Sequence, residues 1–302
     1  MILFVFQLQA SSAQHRHQFS IVSENDSYIS INNDGYYTNG LKLSYQWQGK
    51  DTMQKSREKF NTIYAGHHIY NARFSGEIRT EGLDRPITGY LYAGYDRKSF
   101  NAKQDLLQWG LNAGVIGPPA YGAEVQELAH KVMQIYPPTY WDRQLSAAWG
   151  VNANLLWSPQ LVKQQPGFKW DFKPLLSATA GTLFTNGGVG AALVYGKFNK
   201  SSRSAFWNNH KETSKSEREL FVYLHPAVYF KAYDATVQGG MFQKEEEKIP
   251  GRLNPVFFQA RLGAVYARKK IFFGATAIYE NKQSLTQFSA QYYGSLKVGW
   301  MW

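Results

Sequence analysis

The last residues of the chain constrain it most. From Tyr292 onward the even positions are Tyr292, Gly294, Leu296, Val298, Trp300 and Trp302, while the odd ones are Tyr293, Ser295, Lys297, Gly299 and Met301. A period of two puts these sets on opposite faces of one extended strand, one apolar and the other largely polar. Aromatic residues gathered where the chain stops suit the closing strand of an outer-membrane barrel. An edge strand of a water-soluble sandwich is the alternative that this segment alone leaves open.

The same alternation recurs. Leu41, Leu43, Tyr45 and Trp47 face away from Thr38, Lys42, Ser44, Gln46 and Gln48, which reads as a lipid face and a lumen face. Leu145, Ala147, Trp149, Val151, Ala153, Leu155 and Trp157 repeat it, as do Val256, Phe258, Ala260, Leu262, Ala264 and Tyr266, and then Ile271, Phe273, Ala275, Ala277 and Tyr279. Their aromatics are spaced to form girdles at the two membrane interfaces. The pattern predicts strands over 17–26, 36–49, 58–70, 86–97, 104–115, 144–157, 168–183, 188–198, 218–232, 255–268, 270–281 and 288–302. Twelve is an even number, as a single-chain bacterial barrel requires to bring both termini to the periplasmic side. Segment 234–243 is read as an excursion of a surface loop, because another strand would make the count odd. The long polar stretch 199–217 then falls at the periplasmic end, where short turns are the rule.

Composition removes rival classes. The 302 residues include no Cys, which excludes disulfide scaffolds, thiolate metal sites, iron–sulfur clusters and thiol nucleophiles. Aromatics at 16% beside charged residues at 18% rule out a disordered chain. No run approaches the roughly 18 apolar residues that a transmembrane helix needs. The net charge of +11 would attract anionic lipid, phosphate-bearing substrates or nucleic acid, or would serve solubility alone. Nucleic acid is set aside, since the basic residues are dispersed through loop and lumen positions and no recognisable module is present. Residues 1–13, MILFVFQLQASSA, resemble a signal peptide cleaved after Ala13, although the usual basic start is missing. Residues 14–302, undivided by any linker, would form a single barrel domain, because open sheet edges cannot face lipid.

One stretch breaks the strand pattern. Gly117-Pro118-Pro119 and Pro137-Pro138 bracket a run of helix formers, predicting one short helix over 121–135 in an extracellular loop. Val125, Leu128, Ala129, Val132 and Met133 make its apolar stripe, while Gln126 and His130, four apart, share a neighbouring face. The same rim gathers Glu24-Asn25-Asp26 and Tyr37-Thr38-Asn39-Gly40, and the loop 71–85 adds Arg73, Arg79, Asp84 and Arg85. An imidazole among amides and a carboxylate could support hydrolysis, with the His as general base to water. The oxygen-rich set Asn25, Asp26 and Thr38 would suit a hard cation such as calcium better than zinc. The plainer reading needs no chemistry: a solvated loop His, and arginines acting as counterions to lipopolysaccharide phosphate.

These residues resemble the outer-membrane lipid A 3′-O-deacylases. The resemblance rests on Glu24-Asn25-Asp26, Asp34 and Tyr37-Thr38-Asn39-Gly40, then Ile116-Gly117-Pro118, Gly122, Glu124-Val125-Gln126, His130, Trp141 and Gln144. It implies an all-β, 12-stranded antiparallel transmembrane β-barrel that removes the 3′-linked acyloxyacyl group from lipid A, using calcium (Ca2+) and water. Carried over by position, Asn25, Asp26, Thr38, Gln126 and His130 would form the catalytic set, with His130 as the base, much as in secreted phospholipases A2. Asn25, Asp26 and Thr38 would hold the calcium that polarises the ester carbonyl, and Arg73, Arg79 and Arg85 are candidates for the lipid A phosphates. A Glu that the family carries six residues after its His is Tyr136 here, so Glu124, Glu127 or Glu24 would have to replace it. The implied protein is a monomer of the bacterial outer membrane with lipopolysaccharide as its partner. Two other functions stay open: a non-enzymatic barrel, either a small pore or a surface that binds calcium and lipopolysaccharide, and an esterase of phospholipid.

Overall fold

A computed structural model describes residues 17–29, 35–49, 58–72, 83–134, 137–162, 169–211, 218–243 and 251–302. The strands are β1 (His17–Asn25), β2 (Tyr36–Gln48), β3 (Glu58–Asn71), β4 (Thr88–Phe100), β5 (Leu106–Ile116), β6 (Ala148–Ser158), β7 (Trp170–Gly181), β8 (Phe184–Lys197), β9 (Glu219–Asp234), β10 (Val256–Arg268), β11 (Ile271–Glu280) and β12 (Gln291–Met301). Each pairs antiparallel with its neighbours in chain order, and β1 closes the barrel on β12, with Gln18 opposite Met301 and Asn25 opposite Gly294. Closure satisfies every strand edge, the condition for a sheet in lipid. All the expected strands form, with ends displaced by a few residues. The expected signal peptide lies outside the described residues.

Alternation sorts the side chains as the sequence requires. On β2, Leu41 and Leu43 are exposed at 44% and 40%, whereas Ser44 and Gln46 are buried in the lumen. An apolar surface so exposed would be a liability in water and is the proper surface in lipid. Around the periplasmic end the outward aromatics form a belt in which Trp47 packs on Tyr95, Tyr95 on Trp109, Trp170 on Tyr195 and Trp300 on Trp302.

Segment 234–243 adds no strand, as expected, and contains a single helical turn, α2 (Ala235–Gln238), which Asp234 starts by accepting hydrogen bonds from Thr236 N and Oγ1. Two expectations need correction. Leu145 does not belong to the lipid face of β6; it precedes the strand, is buried, and packs against Tyr90, Ile116, Leu183 and Ala235. Thr38 does not join the lumen row of Lys42, Ser44 and Gln46, because a β-bulge between Tyr37 and Asn39 inserts it into β2.

The described part of the long stretch at the periplasmic end, residues 199–211, folds inward. Two short 3-10 turns, Ser201–Arg203 and Ala205–Trp207, carry Phe206 and Trp207 into the lumen, where Trp207 packs with Phe60, Phe100 and Leu106. Polar lumen groups hold the segment in place: Lys98 Nζ donates to Trp207 O at 2.7 Å, and Gln46 Nε2 to Asn209 Oδ1 at 2.9 Å. Glu219, fully buried at the base of β9, accepts from Ser204 Oγ, Ala205 N and His210 Nδ1. At the opposite mouth, described residues just before β4, after β9 and after β11 come together. Tyr36 OH donates to Asp84 there, and Arg85 reaches Thr236 and Gln283. Between plug and cap remains a cavity of about 340 Å³, lined by Glu24, His225, Arg261 and Lys297 among others.

Candidate active site on the outer wall

The connection between β5 and β6 leaves the barrel through Gly117, whose φ of +80° suits glycine alone, and where a Cβ would stand 2.7 Å from the carbonyl oxygens of Leu145 and Ser146. After the 3-10 turn Pro118–Ala120, helix α1 (Gly122–Met133) lies against the outer wall over β3 and β4. The approach is close. A Cβ on Gly89 of β4 would come within 3.0 Å of Gly122 Cα, and one on Gly122 would strike the Trp141 ring. His67, on the outward row of β3, donates its Nε2–H to Ala120 O at 2.7 Å and ties the helix entry to the wall.

The helix is turned opposite to the usual sense. Its buried stripe is Gly122, Gln126 and His130, spaced by four, with Gln126 and His130 only 5% and 4% exposed. Its apolar residues look outward, Val125 at 38%, Leu128 at 64% and Val132 at 74%. In water the apolar side would be the buried one. Here the polar stripe faces the barrel and the apolar stripe faces the lipid side.

Within the buried stripe the hydrogen bonds fix orientation. Trp141 Nε1 donates to Gln126 Oε1 at 2.8 Å, so the amide nitrogen of Gln126 is the end that meets His130 Nε2, at 3.4 Å. An amide N–H aimed at Nε2 pairs with a lone pair there, the tautomer that carries its proton on Nδ1.

The Asn-Asp pair stands at the top of β1. Asn25 caps the 3-10 turn Asp26–Tyr28, its Oδ1 accepting from Ser27 N at 2.8 Å, and Asp26 Oδ2 accepts from Gly35 N at 3.1 Å. Thr38 Oγ1, on the bulge of β2, accepts from Asn71 Nδ2 of β3 at 3.0 Å. Asn25, Asp26, Thr38 and Asn71 are all buried. The donors are exclusively oxygen, with Asp26 as the carboxylate, and that chemistry fits a hard cation. Among the described residues no cluster of three or more His, Asp or Glu offers a different metal site.

The remaining candidates separate. Arg73, Arg79 and Tyr136 lie outside the described residues. Arg85 is fully buried in the extracellular cap, with Nη1 donating to Pro86 O, Nη2 to Thr236 and Gln283, and the guanidinium 4.4 Å from the Tyr70 ring centroid. Burial pulls its guanidinium below the ordinary value while Asp234, Tyr70, Glu280 and Asp84 oppose the shift. It is placed to hold the cap together and out of reach of a lipid phosphate. Glu24 turns into the lumen, accepting from Tyr37 OH, and Glu124 and Glu127 sit on the exposed side of α1. Asn71 and Gly89 escape sequence reasoning: each matters only through a neighbour on another element, and no local pattern marks them.

Comparison with known proteins agrees with this architecture. A family model described as outer membrane protein LpxR matches residues 1–302. No curated protein matches. Among solved structures, LpxR from Salmonella typhimurium superposes with a TM-score of 0.78 at 20% identity, covering 94% of this chain and 100% of its own. The β domain of the Bordetella autotransporter BrkA follows at a TM-score of 0.51 and 10% identity, covering 95% and 99%.

Proposed function

Because this chain belongs to the outer membrane protein LpxR family, we propose that its lipid A deacylase activity is removal of the 3′-linked acyloxyacyl group by a water molecule that His130 activates. The protein is a barrel of the bacterial outer membrane, and its substrate is the lipid A of lipopolysaccharide. The observation that carries the finer reading is the reversed helix: a buried base on the wall side of α1, and an apolar face turned to the lipid in which the substrate's esters lie.

In this reading the ester reaches the groove between α1 and the wall from the membrane, without passing through the lumen. Water displaces the long contact from Gln126 and is held by His130 Nε2 and the Gln126 amide. As the water oxygen attacks the ester carbonyl carbon, its proton passes to Nε2. Collapse of the tetrahedral intermediate breaks the bond to the sugar oxygen, which takes the proton back from His130, leaving a free acid and a lipid A hydroxyl. Trp141 holds the Gln126 amide by its oxygen, so the amide N–H steers the water onto Nε2. A calcium ion held by Asn25, Asp26 and Thr38 would, when bound, polarise the ester carbonyl as a Lewis acid. Exclusion of water around the buried stripe strengthens each of these polar contacts.

Mass spectrometry of lipid A from cells carrying the wild-type or His130→Ala protein tests the assignment. The wild type should release one acyloxyacyl unit. His130→Ala should lower the rate by about 10²–10⁴, the usual contribution of a general base, while the barrel keeps its heat-modifiable migration. Chelation of calcium should silence the wild type in the same way. Full activity in His130→Ala would refute the role of the imidazole, and lysophospholipid as the sole product would replace the substrate with phospholipid.

A further inference from the structure

A second membrane-facing feature lies at the other end of the barrel from α1, at the turn between β10 and β11. Strands β10 and β11 are joined by only two residues, Lys269 and Lys270, and the preceding residue is Arg268, opposite Ile271 in register. All three cations are exposed. Beside them on the outer wall runs a groove of about 460 Å³ whose floor is apolar: Tyr266 opposite Phe273, and Ile271 opposite Trp300. Those four side chains are 41–52% exposed, on the lipid row of their strands.

The turn is built against local preference. Lys269 adopts φ 53°, the left-handed conformation that two-residue hairpins normally reserve for Gly or Asn. A β-carbon in that region carries a strain of about 1 kcal/mol or more, so a chain selected for turn stability alone would place glycine here. Lysine brings a charge instead, and a costly backbone position that adds charge points to a ligand.

The location names the ligand. The turn sits at the end where β1 begins and β12 stops, next to Trp300 and Trp302 of the aromatic belt, hence at the periplasmic interface. The outer leaflet carries lipid A; the leaflet at this depth is phospholipid. We propose that Arg268, Lys269 and Lys270 bind the phosphate of an anionic phospholipid in the periplasmic leaflet, with an acyl chain lying along Tyr266, Phe273, Ile271 and Trp300. Three donors on one tight turn suit phosphate oxygens, and the groove continues the lipid surface directly below the charges. The site stands on the barrel alone and is independent of how the deacylation proceeds.

Native mass spectrometry of the purified barrel in nonionic detergent, given equal amounts of phosphatidylglycerol and phosphatidylcholine with the same chains, provides the test. The wild type should retain phosphatidylglycerol at least about tenfold better than phosphatidylcholine, since each cation near an anionic lipid contributes about fivefold. The triple variant Arg268→Gln/Lys269→Gly/Lys270→Gln should lose that preference while keeping heat-modifiable migration; its glycine relieves the backbone, so the turn still forms. Arg268→Gln/Lys270→Gln, with Lys269 unchanged, should show a partial loss. Equal retention of both lipids by the wild type would overturn the proposal, as would undiminished retention by the triple variant. Displacement of phosphatidylglycerol by millimolar inorganic phosphate would also overturn it, because the site would then read phosphate without lipid.

Discussion

Among single residues, Gln126 shows how much a neighbour's chemistry can decide. The Trp141 indole fixes which end of its amide faces His130, and that end in turn fixes the tautomer of the imidazole. Gln126→Leu keeps the volume and removes the donor. It should lower kcat about fivefold, the effect of one hydrogen bond of about 1 kcal/mol, leave KM nearly unchanged, and spare the barrel; steady-state release of fatty acid from lipid A would measure it. A larger change in KM than in kcat would make Gln126 a substrate contact. His130 and Gln126 were legible in the sequence because a spacing of four on a helix is a local property. Arg85 was not, since a loop arginine looks the same whether it meets solvent or, as here, closes a cap by way of Thr236 and Gln283. Thr38 seemed a lumen residue by parity, and a single inserted bulge removed it from that row.

For elements, α1 carries the lesson. Its extent was evident from the prolines and the run of helix formers, and Gly122–Met133 falls inside the predicted 121–135. Its orientation was not evident, because amphipathicity says only that two faces differ. The surrounding medium decides which of them is buried. A helix of 12 residues is marginal by itself, so α1 depends on its glycine contact with β4 and on lipid against Val125, Leu128 and Val132. Leu128→Asp/Val132→Asp should therefore reduce hydrolysis of lipid A at least about tenfold in bilayers, where charge is excluded from the lipid face. Loss should be smaller with substrate dispersed in detergent micelles. Equal activity in bilayers and micelles for the double variant would argue that the apolar stripe does not touch lipid.

The whole molecule is a closed barrel that carries the candidate groups Gln126 and His130 on a helix against its outer wall. The segment 199–211, part of the long polar stretch unusual for a periplasmic turn, fills the periplasmic end of the lumen with Phe206 and Trp207. Since the chain contains no cysteine, Ser20→Cys gives a clean probe: Ser20 is a lumen residue 2% exposed, reached by Asn208 of the plug. A polar maleimide should label it slowly in the intact barrel and at least about tenfold faster when residues 200–210 are replaced by a short Gly-Ser turn, as expected if the lost contacts include a Trp side chain that contributes about 3–5 kcal/mol in a core. Identical labelling rates would show that the plug does not guard the lumen. The sequence by itself determined the barrel, its strand number and the presence of one helix, because a period of two, a period near four and the prolines are written along the chain within a few residues of one another. Only the tertiary structure decided which face of the helix is buried, which loops fill the two ends, and which arginine is structural. Those outcomes depend on contacts between residues far apart in the chain and on the solvent each surface meets, and neither is encoded in any local pattern.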